Sequence, residues 1–135
     1  MKICVSSTAN SLDAPVDPRF GRCPYFVIVD PETMQFETVP NVASGAMGGA
    51  GIQAAQTIAS KGAKVLITGN VGPNAFQALS TAGIKIVTGV YGTVREVVEK
   101  YKRGELKETG APTVGGHFGM GVGRGRGWRQ RQWEP

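Results

Sequence analysis

The chain has 135 residues, with 15 basic against 10 acidic side chains for a net charge of +5, 20 glycines, two cysteines and one histidine. Two cysteines exclude a disulfide scaffold and a four-cysteine zinc or iron–sulfur site within one chain, and no apolar run reaches the ~18 residues needed to cross a bilayer. The opening MKICVSS lacks a signal-peptide pattern, so the expectation is one cytoplasmic domain, long enough for a sizeable core.

In chain order, residues 2–6 (KICVS) form a short β run, followed by a long loop holding Asp13, Pro15, Asp17, Pro18, Arg19, Gly21 and Arg22. Residues 25–30 (YFVIVD) are a second strand between Pro24 and Pro31, and a short turn leads to a third over 35–39, stopped by Pro40. The short connection makes the second and third strands an antiparallel hairpin.

The period then becomes helical. Ile52, Ala55 and Ile58/Ala59 line one face of a first helix, with Gly62 as its left-handed cap. Residues 64–68 (KVLIT) read as a strand buried on both faces. Pro73 opens a second helix with Ala75, Phe76, Leu79 and Ala82, ended by Gly83, and 84–88 (IKIVT) is the fifth strand. Thr93-x-x-Glu96 is a capping box before Val94, Val97, Val98 and Tyr101, and Gly104 closes that third helix. The stretches 62–72 and 83–92 echo one another as helix cap, strand and glycine loop, which implies parallel strands joined by right-handed crossovers. The order βββαβαβα predicts an α/β fold with a mixed five-stranded sheet and helices packed on it.

Residues 110–135 hold eight of the glycines, four arginines and one acid. They lack helical or strand period and aliphatic content, and are expected to be a flexible Gly/Arg-rich tail. The folded domain is accordingly placed at 1–109, and most of the positive charge leaves with the tail.

With the first strand pointing up, every long or glycine-rich loop (7–24, 40–51, 69–73, 89–93) leaves the same edge of the sheet, beyond the strand carboxyl ends where open α/β sheets bind ligands. All three helix N-termini are expected there, offering unpaired N–H groups and positive dipole ends. Arg19 and Arg22 add charge, partly offset by Asp13 and Asp17. The edge therefore suits an anion.

Sharper motifs fail. Residues 49–54 match G-x-G-x-x-A, but no strand immediately precedes them and no acid holds a ribose, so no nucleotide is expected. No phosphate-binding P-loop pattern occurs. The first strand carries no carboxylate for two-metal nuclease chemistry. His117 is the only histidine and lies in the tail, where no carboxylate can orient it for a hydrolytic triad. Ser6, Ser7 and Thr8 read as loop formers, and Cys4 as a small core residue. Cys23, between Arg22 and Pro24 at the anion-receptive edge, is expected near helix N-termini that favour a thiolate, and so as a candidate soft metal ligand. His117, three residues before Met120, is the other candidate metal donor.

Residues 16–26 (VDPRFGRCPYF), 49–55 (GAGIQAA) and 68–76 (TGNVGPNAF) resemble, in order and spacing, those of the dinitrogenase iron–molybdenum cofactor biosynthesis family, and the likeness spans residues 1–108. The resemblance implies a ribonuclease H-like fold without nuclease activity, and the function expected is non-enzymatic. It further implies binding, carriage or assembly of an anionic iron-, molybdenum- or other metal–sulfur cluster, with cluster-assembly proteins as partners. By position it assigns Arg19, Arg22 and Cys23 from the first motif, Gly49 and Gly51 from the second, and Asn70, Gly72 and Asn74 from the third. The alternative is an interaction module whose Arg/Gly tail, with Trp128 and Trp133, binds RNA or an acidic protein; nucleic acid is the less expected partner, and no membrane is expected.

Overall fold

The computed structural model describes residues 1–43, 45 and 49–113. Three strands come first: β1 (Lys2–Ser7), β2 (Tyr25–Val29) and β3 (Phe36–Pro40). They are followed by α1 (Ala50–Ser60), β4 (Ala63–Ile67), α2 (Pro73–Thr81), β5 (Lys85–Val87) and α3 (Val94–Lys102). The sheet order is β3-β2-β1-β4-β5. β1 pairs antiparallel with β2 and parallel with β4, β2 pairs antiparallel with β3, and β4 runs parallel to β5. This is the mixed five-stranded α/β arrangement that the sequence pattern predicts.

Alternation along the central strands sorts the core into two layers. Cys4, Phe26, Ile28, Leu66 and Ile86 face α1 and α2, meeting Ala54, Ala55, Ile58, Ala75 and Leu79. Ile3, Val5, Val27, Val29, Val65, Ile67 and Val87 face the other way, onto Val94, Val97 and Val98 of α3. Burying both faces explains the nearly continuous apolar text of β4. Ile52 departs from expectation: it is 38% exposed, and the buried face of α1 is Ala50, Ala54, Ala55 and Ile58. The small alanines let α1 approach the sheet and α2 closely, and the larger Ile52 is left on the outer side.

Gly62, Gly83 and Gly104 each adopt positive φ just past a helix end, the left-handed conformation that costs an L-residue most.

The long loop after β1 crosses the upper edge of the sheet. Its first part supplies Leu12 and Val16 to the α3 layer, and its second part supplies Phe20 and Cys23 to the α1/α2 layer. Backbone bonds pin it on the way: Asp17 N–H donates to Ser6 O (2.8 Å), Val16 N–H to Gly92 O (2.9 Å), and Asn70 N–H to Pro18 O (2.8 Å).

Beyond α3 the backbone returns along the body. Thr109 N–H donates to Ile86 O (2.6 Å), Thr88 N–H to Thr109 Oγ1 (3.0 Å), and Thr113 N–H to Val71 O (3.0 Å). Residues 109–113 thus strap the short edge strand β5 and end beside the loop that follows β4. The Gly/Arg-rich segment from 114 onward, with His117, lies outside the described residues. No helix among the described residues is long and apolar enough to cross a membrane.

Candidate functional site

A cavity of about 410 Å³ opens where the crossing loop meets the amino ends of α1 and α2. Arg19, Arg22, Gly51, Asn70, Gly72 and Asn74 all line it, so six positions from three distant stretches of chain come together. Gly49 does not line it; it is the left-handed N-cap of α1 (φ 72°). Cys23 does not line it either.

Close approaches assemble this site. A Cβ on Gly69 would lie 2.6 Å from Pro18 Cα, and one on Gly51 would lie 2.8 Å from Ala75 Cβ. Both are far inside real contact distances, so glycine is needed for the loop to dock on the β4–α2 turn and for α1 to meet α2. The docked loop and turn form a parallel bridge between Arg19 and Asn70.

The Arg19 side chain is aimed by Asp17, which the sequence reading treated only as an offsetting charge. Asp17 is 2% exposed. Its Oδ1 accepts from Arg19 N–H (2.9 Å) and Nε (3.1 Å), and its Oδ2 from an Nη (3.0 Å). The guanidinium itself stays largely in solvent, and the hydrogen bond to Asp17 followed by the attraction of its charge raises its pKa above the ordinary value. Underneath, Ser6 Oγ lies 2.6 Å from the Asp17 carbonyl, to which it donates, and 2.7 Å from Thr68 Oγ1. Ser6 and Ser7 are fully buried, as structural hydroxyls rather than nucleophiles. Asn41, also unremarked in the sequence, clamps the far side: its Nδ2 donates to Gly21 O (3.1 Å) and Cys23 O (2.9 Å).

Cys23 requires a correction. It is fully buried among Phe20, Phe26 and the α1/α2 layer, and its thiol donates to Phe20 O (3.2 Å). Burial, reinforced by the negative charge of Asp17, pushes its pKa up to about 12. The expectation of an exposed thiol at the cavity edge is not met: the loop folds this side chain inward. Cys4 is buried too, and burial raises its thiol pKa further from the physiological range. Among the described residues, no group of three or more His, Cys, Asp and Glu is placed to hold a metal ion.

The three helix N-termini also differ from expectation. α3 is closed by its capping box: Thr93 Oγ1 accepts from Glu96 N–H (3.1 Å), and Glu96 Oε1 accepts from Thr93 N–H (2.8 Å). It packs on the opposite sheet face and contributes nothing to the cavity. α1 and α2 have no side-chain cap and no acid in their first turns, and their first residues line the cavity. Among the described residues no side chain caps these first turns, so their N–H donors and positive dipole ends are available at the cavity.

The family model of the dinitrogenase iron–molybdenum cofactor matches residues 1–104. The chain belongs to this family. A curated relative, an uncharacterised protein of Methanocaldococcus jannaschii, is 31% identical over 111 residues, covering 80% of this chain and 91% of its own. Among solved structures, the apo form of the orange protein of Desulfovibrio gigas is 46% identical, covers 83% of this chain and 95% of its own, and superposes with a TM-score of 0.81. A NifB-like protein of Thermotoga, solved by NMR, is 37% identical over 79% of this chain and 91% of its own, with a TM-score of 0.70. The three stretches that carry the family likeness in the sequence are the ones that meet at the cavity.

Proposed function

We propose that this member of the dinitrogenase iron–molybdenum cofactor family binds an anionic metal–sulfur cluster as cargo. It carries or helps to assemble the cluster without chemically transforming a substrate. The observation that carries the reading is the convergence of two uncapped, acid-free helix N-termini on one cavity that Arg19 and Arg22 also line. Such a lining suits a compact polyanion whose surface sulfides accept hydrogen bonds from backbone N–H and guanidinium groups. It needs no metal–protein bond, and the buried Cys23 thiol is poorly placed to make one. The solved structure of the orange protein is described as an apo form, which supports a removable group in that relative and, by our reading, here.

Cluster-assembly proteins are the corresponding partners, a reading supported by the family and by the NifB-like neighbour. We read the strand order β3-β2-β1-β4-β5 as the ribonuclease H-like arrangement, used for binding alone. His117 and the RNA- or acid-binding tail alternative fall outside the described residues and do not enter this reading.

The test is anaerobic reconstitution with iron, molybdate and sulfide, followed by desalting. The wild-type protein is expected to retain visible charge-transfer absorption, and Arg19→Ala/Arg22→Ala to lose most of it. A wild-type protein that stays colourless, or a double variant that colours equally, overturns the proposal.

A further inference from the structure

The turn from β4 into α2 forms one wall of the cavity, and its text, TGNVG over 68–72, does little to fix its own shape. Contacts with distant parts of the chain do so instead. Gly69 O accepts from Gly89 N–H (2.8 Å), and Asn70 N–H donates to Pro18 O (2.8 Å). Val71 is held on both sides by Thr113. Its N–H donates to Thr113 Oγ1 (2.9 Å), and its carbonyl accepts from Thr113 N–H (3.0 Å) and Oγ1 (3.3 Å). Thr113 follows the stretch matched by the family model, residues 1–104, and belongs to none of the three motifs. It is exposed, as are Gly110, Ala111 and Pro112, so burial of apolar surface does not account for where this segment lies. Pro112 fixes its own φ and disfavours helix at Ala111, which keeps the approach to Thr113 extended. At the other end of the strap, Thr109 makes the matching bonds to β5 and Thr88, away from the cavity: its N–H donates to Ile86 O (2.6 Å), and its Oγ1 accepts from Thr88 N–H (3.0 Å).

We infer that Thr113 is a positioning residue of the cargo site: by clasping the Val71 backbone it sets the wall that carries Asn70, Gly72 and Asn74. The inference rests on the proposed cargo-binding function and deepens it. Val71 lines the cavity and is 2% exposed, packed in the α1/α2 layer. A shift of its backbone is therefore passed along the wall rather than absorbed by solvent. A rigid, many-sided anion makes this matter, because its contacts form together only when the walls are held in place beforehand. The strap thus has two anchors with different consequences, Thr109 for the edge strand and Thr113 for the site.

The experiment compares Thr113→Val, which keeps the shape and removes the hydroxyl, with Thr113→Ser, which keeps the hydroxyl, and with Thr109→Val at the other anchor. Each full-length protein is loaded anaerobically with iron, molybdate and sulfide. Three readouts follow: the rate at which colour is lost to a chelator, the visible circular dichroism of the bound cargo, and amide exchange at Val71 in the unloaded protein. Thr113→Val and Thr109→Val are expected to lower the melting temperature by similar small amounts, since each removes one threonine hydroxyl's bonds. Thr113→Val is expected to release cargo about five- to tenfold faster, to exchange the Val71 amide faster by a similar factor, and to alter the visible dichroism. Thr109→Val is expected to keep the wild-type release rate and spectrum, and Thr113→Ser to restore both. A Thr113→Val protein with wild-type release and dichroism overturns the inference and leaves cargo binding standing. A Thr109→Val protein that loses cargo equally fast also overturns it, by reducing the effect to general stability. A wild type that stays colourless overturns both.

Discussion

The close approach at Gly69 gives a quantitative test of how the site is built. In Gly69→Ala, the new Cβ must open a 2.6 Å approach to Pro18 Cα by roughly 0.8 Å to reach ordinary contact at 3.4 Å. The turn cannot retreat cheaply. Thr68 N–H is bound to Val87 O, Gly89 N–H to Gly69 O, and Asn70 N–H to Pro18 O. The loop must therefore move, carrying Arg19 and lengthening the 2.8 Å Asn70–Pro18 bond. Overpacking of this kind costs about 1–3 kcal/mol, which for a domain near 100 residues lowers the melting temperature by on the order of 5–20 °C. A displacement close to an ångström in a positioned site weakens its function by tenfold or more, as a rough scale. Circular dichroism melts and the reconstitution assay read the two effects, with Gly110→Ala as the control because a Cβ there meets nothing within 4 Å. If Gly69→Ala melts with the wild type and loads fully, the docked-loop description of the site is wrong.

Two further predictions separate structure from site. Thr93→Ala removes the capping box of α3 and is expected to cost about 1 kcal/mol of stability. It should leave cargo uptake unchanged, because that N-terminus lies away from the cavity; a loss of uptake in a folded Thr93→Ala protein would contradict the assignment. For Cys23, the native thiol holds its proton to about pH 12 where its ordinary value is 9.0. The unfolded chain then binds fewer protons than the native one between those values, so the thiol's contribution is intact below pH 9 and is lost as pH rises towards 12. Iodoacetamide at pH 8 should leave both buried cysteines unmodified in the native protein and alkylate both in denaturant. Rapid native labelling of Cys23 would refute its burial.

Much of the fold was legible because its signals are local. Alternating and continuous apolar runs, Pro73, the Thr93–Glu96 box and the glycines after each helix specify elements without reference to the rest of the chain. Hairpin and crossover rules then order the strands. Six of the positions matched by the family motifs meet at one cavity for the same reason, since each follows a strand end on the same edge. What escaped the sequence depends on contacts between distant residues. Cys23 is turned inward because the loop crosses from one sheet face to the other, which no local pattern records. Asp17 and Asn41 look like ordinary loop residues until their partners are known. The text of α1 and α2 does carry one legible difference from α3: their first turns hold no acid, where α3 has its Thr93–Glu96 box.

The central claim is that the protein holds an anionic metal–sulfur cargo through N–H and guanidinium donors rather than through thiolate bonds. Metal and acid-labile sulfide analysis of anaerobically purified native protein tests it most directly, alongside Cys23→Ser and Arg19→Ala/Arg22→Ala purified identically. The account predicts metal and sulfide in the wild type and in Cys23→Ser, and their loss in the arginine variant. Metal that disappears with Cys23 and persists without the arginines would contradict it.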